Sequence, residues 1–574
     1  MKIKKTLMSE KFRSMLFGGT VTRIAAIILF IADSIIGGRL FGEDALSGIN
    51  LVSPLFSAAL FMSMIFSTGI PVLYGKALGK FDKDEADRFF GFGLLISILS
   101  GVIIFSLSFF LGDLYLGFFH ASETVVFYAG KYLFWMSFVF LVMPLQTFIG
   151  EMVYEDGDEL LSTGSDVFQA LVNIPLSVVL CMKLGTAGLS LGTFITTFMG
   201  LLFLLLHFLK KTNTLKPNLY FSLKVLVDAA RYSLIDASSY LFLAFYAIVL
   251  EKYTVLRFGP EMLAVVSMII TINELSIIFD GIGDAMSPIL SVYIGEEAFQ
   301  GMSDIFRLAR RTSNIEGITV SALMLILAPV VPGILGIDDP ELVLLCTDAA
   351  RIISLGFVFT SLLFLLSSYY LLFERIALSL MICALRDLIL PVVMAVLTGE
   401  VFGLYGMFSG LAFAPFFAAV ITAINIRRRF GRAEYPMLIP NEELKKTSAL
   451  FNLTVSKEET VHICDEIEST LTLKGYEKKH VLRVRLIAEE LFMLIHEING
   501  KKAVLAECLL VMNSDRIDLI ERDNGKVFDL TDEDMPVNSL RAYLITQISA
   551  SYVQKKRFMP VLSENRNTFS INVS

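Results

Sequence analysis

The chain has 574 residues, of which 55% are hydrophobic and 18% charged, and its formal net charge is −8. Its mean hydropathy is +0.68. Soluble domains carry about one quarter charged residues and are seldom more than half apolar, so this composition excludes a chain built from soluble domains alone. Five scattered cysteines without a CxxC pair predict neither a disulfide framework nor a metal site, and we expect no nucleic-acid partner.

Apolar stretches dominate the chain from about residue 14 to residue 427. A bilayer core of about 30 Å requires about 20 mostly apolar residues per helix. Because backbone polar groups find no water in hydrocarbon, each stretch must be helical. The sequence therefore predicts an all-α polytopic membrane protein with twelve transmembrane helices, near 14–40, 46–75, 89–112, 129–150, 164–183, 187–209, 228–256, 262–293, 314–336, 350–373, 376–398 and 403–427.

Lys and Arg cluster in alternate connections between these spans, and such clusters are typical of the cytoplasmic side. We therefore predict a multi-pass protein of the cytoplasmic (inner) membrane with both termini cytoplasmic. One connection opposes the pattern, since 151–159 carries five acidic residues and no base. Acidic residues contribute little to this rule, so the predicted orientation is unchanged.

The membrane region repeats itself at a spacing of about 217 residues. A Phe-Gly pair at Phe41 returns at Phe258, and a G-x2-G-x3-G pattern beginning at Gly185 returns at Gly403. An even number of spans gives both repeats one orientation, and transporters built this way bind substrate between the halves. We predict a membrane domain over 1–430, with six-helix repeats at about 10–215 and 216–430.

Polar side chains inside the spans are candidates for function, because a charge there costs about 2.5–3.5 kcal/mol or more. Asp33, deep in the first span, is the candidate ion-coupling residue and can bind a proton or Na⁺; the alternative is a structural partner for Arg23 or a hydroxyl. Other polar residues could line the substrate or ion cavity or simply bond neighbouring helices: Asn173 and Ser177 in the fifth span, and Glu274 and Asp284 in the eighth.

Three segments resemble the multidrug and toxic compound extrusion (MATE) family over about residues 10–430. They are the stretch from Asp33 to Leu46, the Leu-Gly-x2-Gly entry at Leu184, and Gly283 to Pro288. The resemblance implies antiport, in which H⁺ or Na⁺ enters while an organic, usually cationic, compound leaves.

The resemblance also assigns residues in the membrane region. Asp33 matches the coupling Asp of the family's first span, and Asn173 matches its fifth-span Asn. The acid that follows one turn later in the family is Ser177 here. That departure leaves the choice between H⁺ and Na⁺ open.

Hydropathy falls after the last span, and 431–449 reads as a linker. The following 450–574 alternates strand and helix patterns, which predicts a C-terminal α/β two-layer sandwich. Its predicted strands lie at 451–455, 504–512, 515–522, 551–558 and 567–573, and its helices at 457–474, 478–498 and near 538–550.

This tail resembles the GHKL ATPase superfamily, and within it the small anti-sigma-factor kinases. Asp523-Asn-Gly525 is similar to the adenine-binding box, and Glu490 matches the catalytic base. The Mg²⁺-binding Asn is replaced by Leu494, and the lid segment 538–543 has no glycine, so Mg²⁺ loses an oxygen ligand and the backbone cannot approach phosphates closely. We expect a degenerate domain without kinase or ATPase activity, which binds either ATP or ADP or a cytoplasmic regulatory protein.

Together these patterns predict a secondary transporter rather than an enzyme. It is a cation-coupled antiporter for organic, cationic compounds with a regulatory tail, and it needs the bilayer and a coupling ion but no other cofactor. Two alternatives stay open: a flippase for lipids or lipid-linked precursors, and a membrane-bound sensor or scaffold without transport. A flippase would need basic residues in its cavity, where Arg23 and Arg386 are the candidates.

Overall fold

A computed structural model describes most of the chain. Within some helices, chiefly between 26 and 66 and between 234 and 274, it describes only part of the side chains. The described residues are 6–573, except 42, 68, 81, 119–122, 212, 260–261, 335–338, 432–435, 438–447, 501, 529, 531–540, 542–544, 546–550 and 555–564.

Helices account for almost all described residues up to 430. The first half of this region contains α1 (Leu7–Phe41), α2 (Glu43–Ser67), α3 (Gly69–Gly79), α4 (Lys83–Phe110), α5 (Gly112–Phe118), α6 (Glu123–Glu155), α7 (Glu159–Leu184) and α8 (Thr186–Leu205). The second half contains α9 (Leu223–Phe258), α10 (Leu263–Leu275), α11 (Asp280–Gly295), α12 (Phe299–Leu327), α13 (Val331–Ile334), α14 (Pro340–Ser354), α15 (Phe357–Leu372), α16 (Ile376–Ala384) and α17 (Leu390–Phe430). Each of the twelve predicted stretches overlaps helical residues.

Several of these helices are long and apolar enough to cross a membrane. By length and composition, seven segments of the described chain qualify, or eight if α14 and α15, bent by 49°, form one span. The 3-10 helix Ser276–Phe279 separates α10 from α11, and Ile376–Phe430 counts as one segment although α17 is kinked at Gly403 into two helices. The count of twelve spans remains a prediction.

The internal repeat is visible in the backbone. Gly185 (φ 67°, ψ −149°) and Gly403 (φ 66°, ψ −153°) adopt the same conformation at equivalent turns. This region is essentially restricted to glycine. At Gly188 and Gly406 an added Cβ would lie 2.3 and 2.2 Å from backbone atoms of the preceding helix. The two glycine patterns therefore build the same tight helix pair in each half.

Three of the five acidic residues of the connection 151–159 pair with bases from other parts of the chain. Lys11 pairs with Glu159 at 2.8 Å, and Lys210 pairs with Asp158 at 2.7 Å. His207 lies between Asp158 and a second carboxylate, that of Asp156, at 2.9 and 2.8 Å. Burial alone would raise the pKa of Asp158, but the hydrogen bonds and charges of His207 and Lys210 outweigh burial and lower it. The acidic loop thus shares one end of the molecule with the basic N-terminal segment.

The tail is a five-stranded antiparallel sheet with two helices on one face. The elements are β1 (Ser448–Thr454), α18 (Lys457–Leu473), α19 (Lys478–Asn499), β2 (Leu505–Met512), β3 (Arg516–Asp523), β4 (Ser551–Gln554) and β5 (Asn565–Asn572). The strands lie side by side in the order β1-β2-β3-β5-β4. The predicted strands and the first two predicted helices agree with these elements. The helix near 538–550 lies outside the described residues except at Arg541 and Ile545.

The two faces of the sheet have different neighbours, because side chains alternate along each strand. Cys508, Leu510 and Phe569 form a core with α18 and α19. Leu509 and Ile520 point the other way and join the main core of the helical region. The sheet is therefore a layer between its own helices and the transmembrane region.

Candidate ion and substrate site

Asp33 lies about three quarters of the way along α1 and faces α6 and α8. Tyr132 donates a hydrogen bond from its hydroxyl to Oδ2 of Asp33 at 3.0 Å, and Thr193 donates a second to the same oxygen at 3.3 Å. The other oxygen, Oδ1, is buried and makes no hydrogen bond to any residue of the described chain. One carboxylate oxygen is thus held by two hydroxyls, while the other has no hydrogen-bond donor among the described residues.

Asn173 continues this polar network from α7. Its amide donates to the hydroxyls of Thr193 and Thr196 at 3.2 and 3.3 Å. Thr193 therefore links Asn173 to Asp33. The predicted pair of Asp33 and Asn173 is brought together through a hydroxyl of α8 rather than by direct contact.

Ser177 contributes differently. Its hydroxyl lies 3.5 Å from the carbonyl oxygen of Leu189, to which it donates. A Cβ on Gly192 would lie 2.5 Å from the Ser177 hydroxyl, so a larger side chain at 177 would collide with α8. In this chain Ser177 belongs to the close contact between α7 and α8.

Sequence reasoning missed three members of this region: Tyr132, Thr193 and Asp166. Hydroxyl residues are common in spans, so the first two carried no distinguishing signal. Asp166 is a carboxylate on α7 that accepts a hydrogen bond from Thr22 at 2.9 Å. It lies seven residues before Asn173, about 10 Å along the helix axis, and this spacing of about two turns could have revealed it.

The second half places its acidic residues against α1. Arg23 donates to Oδ2 of Asp284 at 2.7 and 3.0 Å, and Asp280 lies 3.8 Å from the same guanidinium. Glycine permits this approach, since a Cβ on Gly19 would lie 3.2 Å from the Gly281 carbonyl oxygen. Asp284 thus takes part in an ion pair between the two halves, and it is Asp284 rather than Asp33 that pairs with Arg23. The side chain of Glu274 lies outside the described residues.

Arg386 is the second candidate for a basic residue in the cavity, and it lies in the second half. It forms two hydrogen bonds to Asp387 at 2.5 and 2.7 Å, and its guanidinium lies over the ring of Phe364. The charge is therefore neutralised locally, in the π-helical turn Leu385–Ile389.

The residues of the tail that resemble a nucleotide site are engaged with one another. Oδ1 of Asp523 accepts hydrogen bonds from the Gly525 amide at 2.6 Å and from Asn565 at 3.0 Å. Asn499 accepts from the Lys526 amide at 2.8 Å. These bonds fix the loop that follows β3.

Glu490 is paired with a cation. Arg541 forms an ion pair with Glu490 and another with Glu497 at 3.2 Å. Leu494, at the position of the Mg²⁺-binding Asn, is completely buried in the tail core. Among the residues that the structure describes, no group of His, Cys, Asp and Glu could hold a metal ion.

Comparison with known families decides what the helical region is. The MatE family model matches residues 20–179 and again 237–397. The chain belongs to the MatE family. The two matches reproduce the internal repeat, and neither reaches the tail. MatE proteins are integral membrane proteins and secondary transporters, so the predicted family and transporter class are confirmed.

Solved structures share the fold of this MatE chain. A multidrug resistance MATE transporter of the MOP superfamily, in an outward-facing conformation, has 19% identity and a TM-score of 0.69, over 77% of this chain and 98% of that one. A MOP superfamily transporter from Pyrococcus furiosus, whose binding pocket of reverse polarity suggests a different function, has 19% identity and a TM-score of 0.67. The match covers 75% of this chain and 98% of that one. A MATE protein in its bent conformation has 20% identity and a TM-score of 0.66, over 77% of this chain and 97% of that one. No curated protein sequence matches the chain.

Proposed function

We propose that the protein is an antiporter of the cytoplasmic membrane that couples entry of H⁺ or Na⁺ to export of organic, cationic compounds. In this proposal the membrane region has twelve spans and both termini are cytoplasmic. The observation that carries it is the surroundings of Asp33: Oδ2 is held by Tyr132 and Thr193, while Oδ1 is buried without a hydrogen bond among the described residues. A carboxylate in this position binds one cation at a time, either the coupling ion or a positively charged substrate.

Coupling requires that ion and substrate bias the same two-state element. Asp33 lies on α1, which also carries Arg23 at the contact with α11. Binding of an ion to Asp33 therefore acts on the helix that joins the halves at one end. Asn173 and Thr193 extend the polar surface on which ion or substrate would bind.

The pairing of Arg23 and Arg386 favours a cationic substrate over an anionic lipid. Arg23 is paired with Asp284, and Arg386 with Asp387. Neither cation is therefore available as an unneutralised charge for a lipid phosphate. A flippase for lipid-linked precursors has no comparable support here.

The tail has a regulatory role in this proposal, as a GHKL-like domain that has lost catalysis. Support comes from the buried Leu494 at the position of the metal ligand and from the ion pair between Glu490 and Arg541. Regulation then works through binding and docking rather than through phosphate chemistry.

The test is transport of a cationic dye in proteoliposomes under an imposed pH gradient and, separately, a Na⁺ gradient. We expect gradient-driven movement by the wild type and its loss in Asp33→Asn, because the amide cannot exchange a proton or balance a cation. Asp113→Asn is the matched control, since Asp113 is an exposed carboxylate of the same half. Movement that survives in Asp33→Asn, or none with several dyes under either gradient, would contradict the proposal.

A further inference from the structure

The face of the tail sheet that points away from α18 and α19 carries a row of three charged residues. Glu507 on β2 is paired in register with Arg522 on β3, and Arg522 with Arg566 on β5. We call this surface the docking face. Like charges directly opposite each other in a sheet are destabilising, so the adjacent arginines need an acidic partner from outside the sheet.

Glu296 supplies that partner from the turn between α11 and α12. One of its carboxylate oxygens pairs with Arg522, and the other accepts from Arg566 at 2.7 Å. Arg522 also pairs with Glu507. All four side chains are buried. A buried charge is tolerated only when it is paired, so the Glu296 carboxylate allows this charged face of the sheet to be buried against the transporter.

Neighbouring contacts fix the docked position. The Tyr293 hydroxyl of α11 donates to Glu507 at 2.8 Å. Gln300 of α12 accepts a hydrogen bond from the Leu450 amide at 3.2 Å. Tyr369 and Tyr370 of α15 donate to the carbonyl oxygens of 437 and 436 at 2.6 and 2.7 Å. The tail is therefore anchored to α11 and α12, and the linker that leads to it is anchored to α15.

The same end of α11 is also in contact with the first half. A Cβ on Gly295 would lie 2.7 Å from Cα of Gly79 in α3. Near the other end of α11, Asp284 pairs with Arg23 in α1. The tail itself reaches the first half: Ser9 of α1, Arg311 of α12 and Glu507 line one cavity of about 310 Å³. The docked sheet thus spans the seam between the halves.

We propose that the docked tail is a staple that keeps the two halves together at its end of the molecule. Docking holds α11 against α1 and α3, and release of the tail allows this end to open. If the proposed orientation of the antiporter is correct, that end is the cytoplasmic one, and the staple controls the cytoplasmic opening on which transport depends.

The test measures opening at this end without using transport. Ser291 is buried in α11, one turn before Gly295, and its Cβ would lie 3.1 Å from a Cβ on Gly75 of α3, so a cysteine introduced by Ser291→Cys reports separation of α3 from α11. The five native cysteines are buried and are replaced by alanine. The rate of reaction with a membrane-impermeant maleimide, in nanodiscs, is compared between variants.

Glu296→Gln should accelerate labelling at least about tenfold, because it removes the carboxylate that the two buried arginines share. Glu297→Gln is the matched control, since the adjacent Glu297 is exposed. In this variant the introduced cysteine should react at the same rate as in the protein with Glu296 and Glu297 intact. Tyr293→Phe removes only the hydroxyl and should give a smaller increase. Equal labelling rates in all variants would overturn the proposal.

Hydrogen exchange of the full-length variants separates undocking from unfolding. In Glu296→Gln we expect faster exchange in β1 and at 296–299, with unchanged exchange in α19. Faster exchange throughout the tail would mean that the sheet unfolds rather than undocks, and would also count against the staple. Since labelling needs no substrate or ion gradient, the staple and the proposed antiport can fail independently.

Discussion

Asp33 has two oxygens in different surroundings, and this asymmetry is the main functional feature at the scale of single residues. Oδ2 accepts from Tyr132 and Thr193, whereas Oδ1 is buried with no hydrogen bond among the described residues. A hydrogen bond to a charged group contributes about 1.5–3 kcal/mol, so the two hydroxyls stabilise the ionised carboxylate. The Asp33 carboxylate therefore keeps two hydrogen-bond donors when it releases its cation.

Thr193 is the residue on which this arrangement depends, because it bonds both Asp33 and Asn173. We expect Thr193→Val to reduce the initial rate of gradient-driven dye transport about tenfold, which corresponds to about 1.4 kcal/mol. The valine preserves shape and removes only the hydroxyl.

Thr197→Val is the control for this change. Thr197 lies one turn further along α8 and has no described bond to Asp33 or Asn173. Equal rates for Thr193→Val and the wild type would show that the network does not serve coupling.

At the scale of elements, the repeated glycine turns set how the helices of each half pack. Gly185 and Gly403 turn the chain between two helices with nearly identical dihedral angles. The glycines that follow then let each helix approach its predecessor closely, as at Gly188 and Gly406. The approach of α8 to α7 in turn brings Thr193 to Asn173.

Gly403→Ala should lower the midpoint of heat-induced unfolding in detergent by a few degrees. A non-glycine residue in this backbone region costs about 1–3 kcal/mol. An added Cβ at Gly403 would meet no atom within 4 Å, so the effect isolates backbone strain from steric collision.

Gly117→Ala is the matched control. It also meets no atom within 4 Å, and its φ is not positive, so alanine should leave the midpoint unchanged or raise it. Identical midpoints for Gly403→Ala and Gly117→Ala would contradict the assignment of strain.

At the scale of the whole molecule, the tail is joined to the transporter by buried charges rather than by a linker alone. Glu296 of the helical region pairs with Arg522 and Arg566 of the sheet. Removing one partner of a buried ion pair costs about 3–5 kcal/mol, so docking is specific for this geometry. The residues that resemble a nucleotide site, among them Asp523 at the end of β3, lie apart from these ion pairs.

We expect no ATP turnover by the full-length protein. Glu490 is paired with Arg541, and Leu494 offers no oxygen to Mg²⁺. The measurement is phosphate release from Mg·ATP by purified protein. Glu490→Gln is the control for contaminating ATPases, whose phosphate release it would leave unchanged. Phosphate release that is lost in Glu490→Gln would come from the tail itself and would contradict the expectation.

The sequence by itself determined the helical class, the repeat, the family and the position of Asp33. These depend on local properties: runs of apolar residues, glycines at fixed spacing, and a charge where hydrocarbon makes charge costly. Asn173, singled out in the fifth span, is linked to Asp33 through Thr193, and the functional role of both residues remains a prediction. The strands of the tail followed from their alternating pattern, although their kinship with GHKL domains remains a prediction.

The tertiary structure alone decided which charges meet. Arg23 pairs with Asp284, 261 residues away, and the acidic connection 151–159 finds its bases in Lys11, His207 and Lys210. Glu296, which showed no pattern in the sequence, holds the tail in place. Such contacts depend on how helices and sheet pack, and no local periodicity encodes which side chains from distant segments will share a buried site.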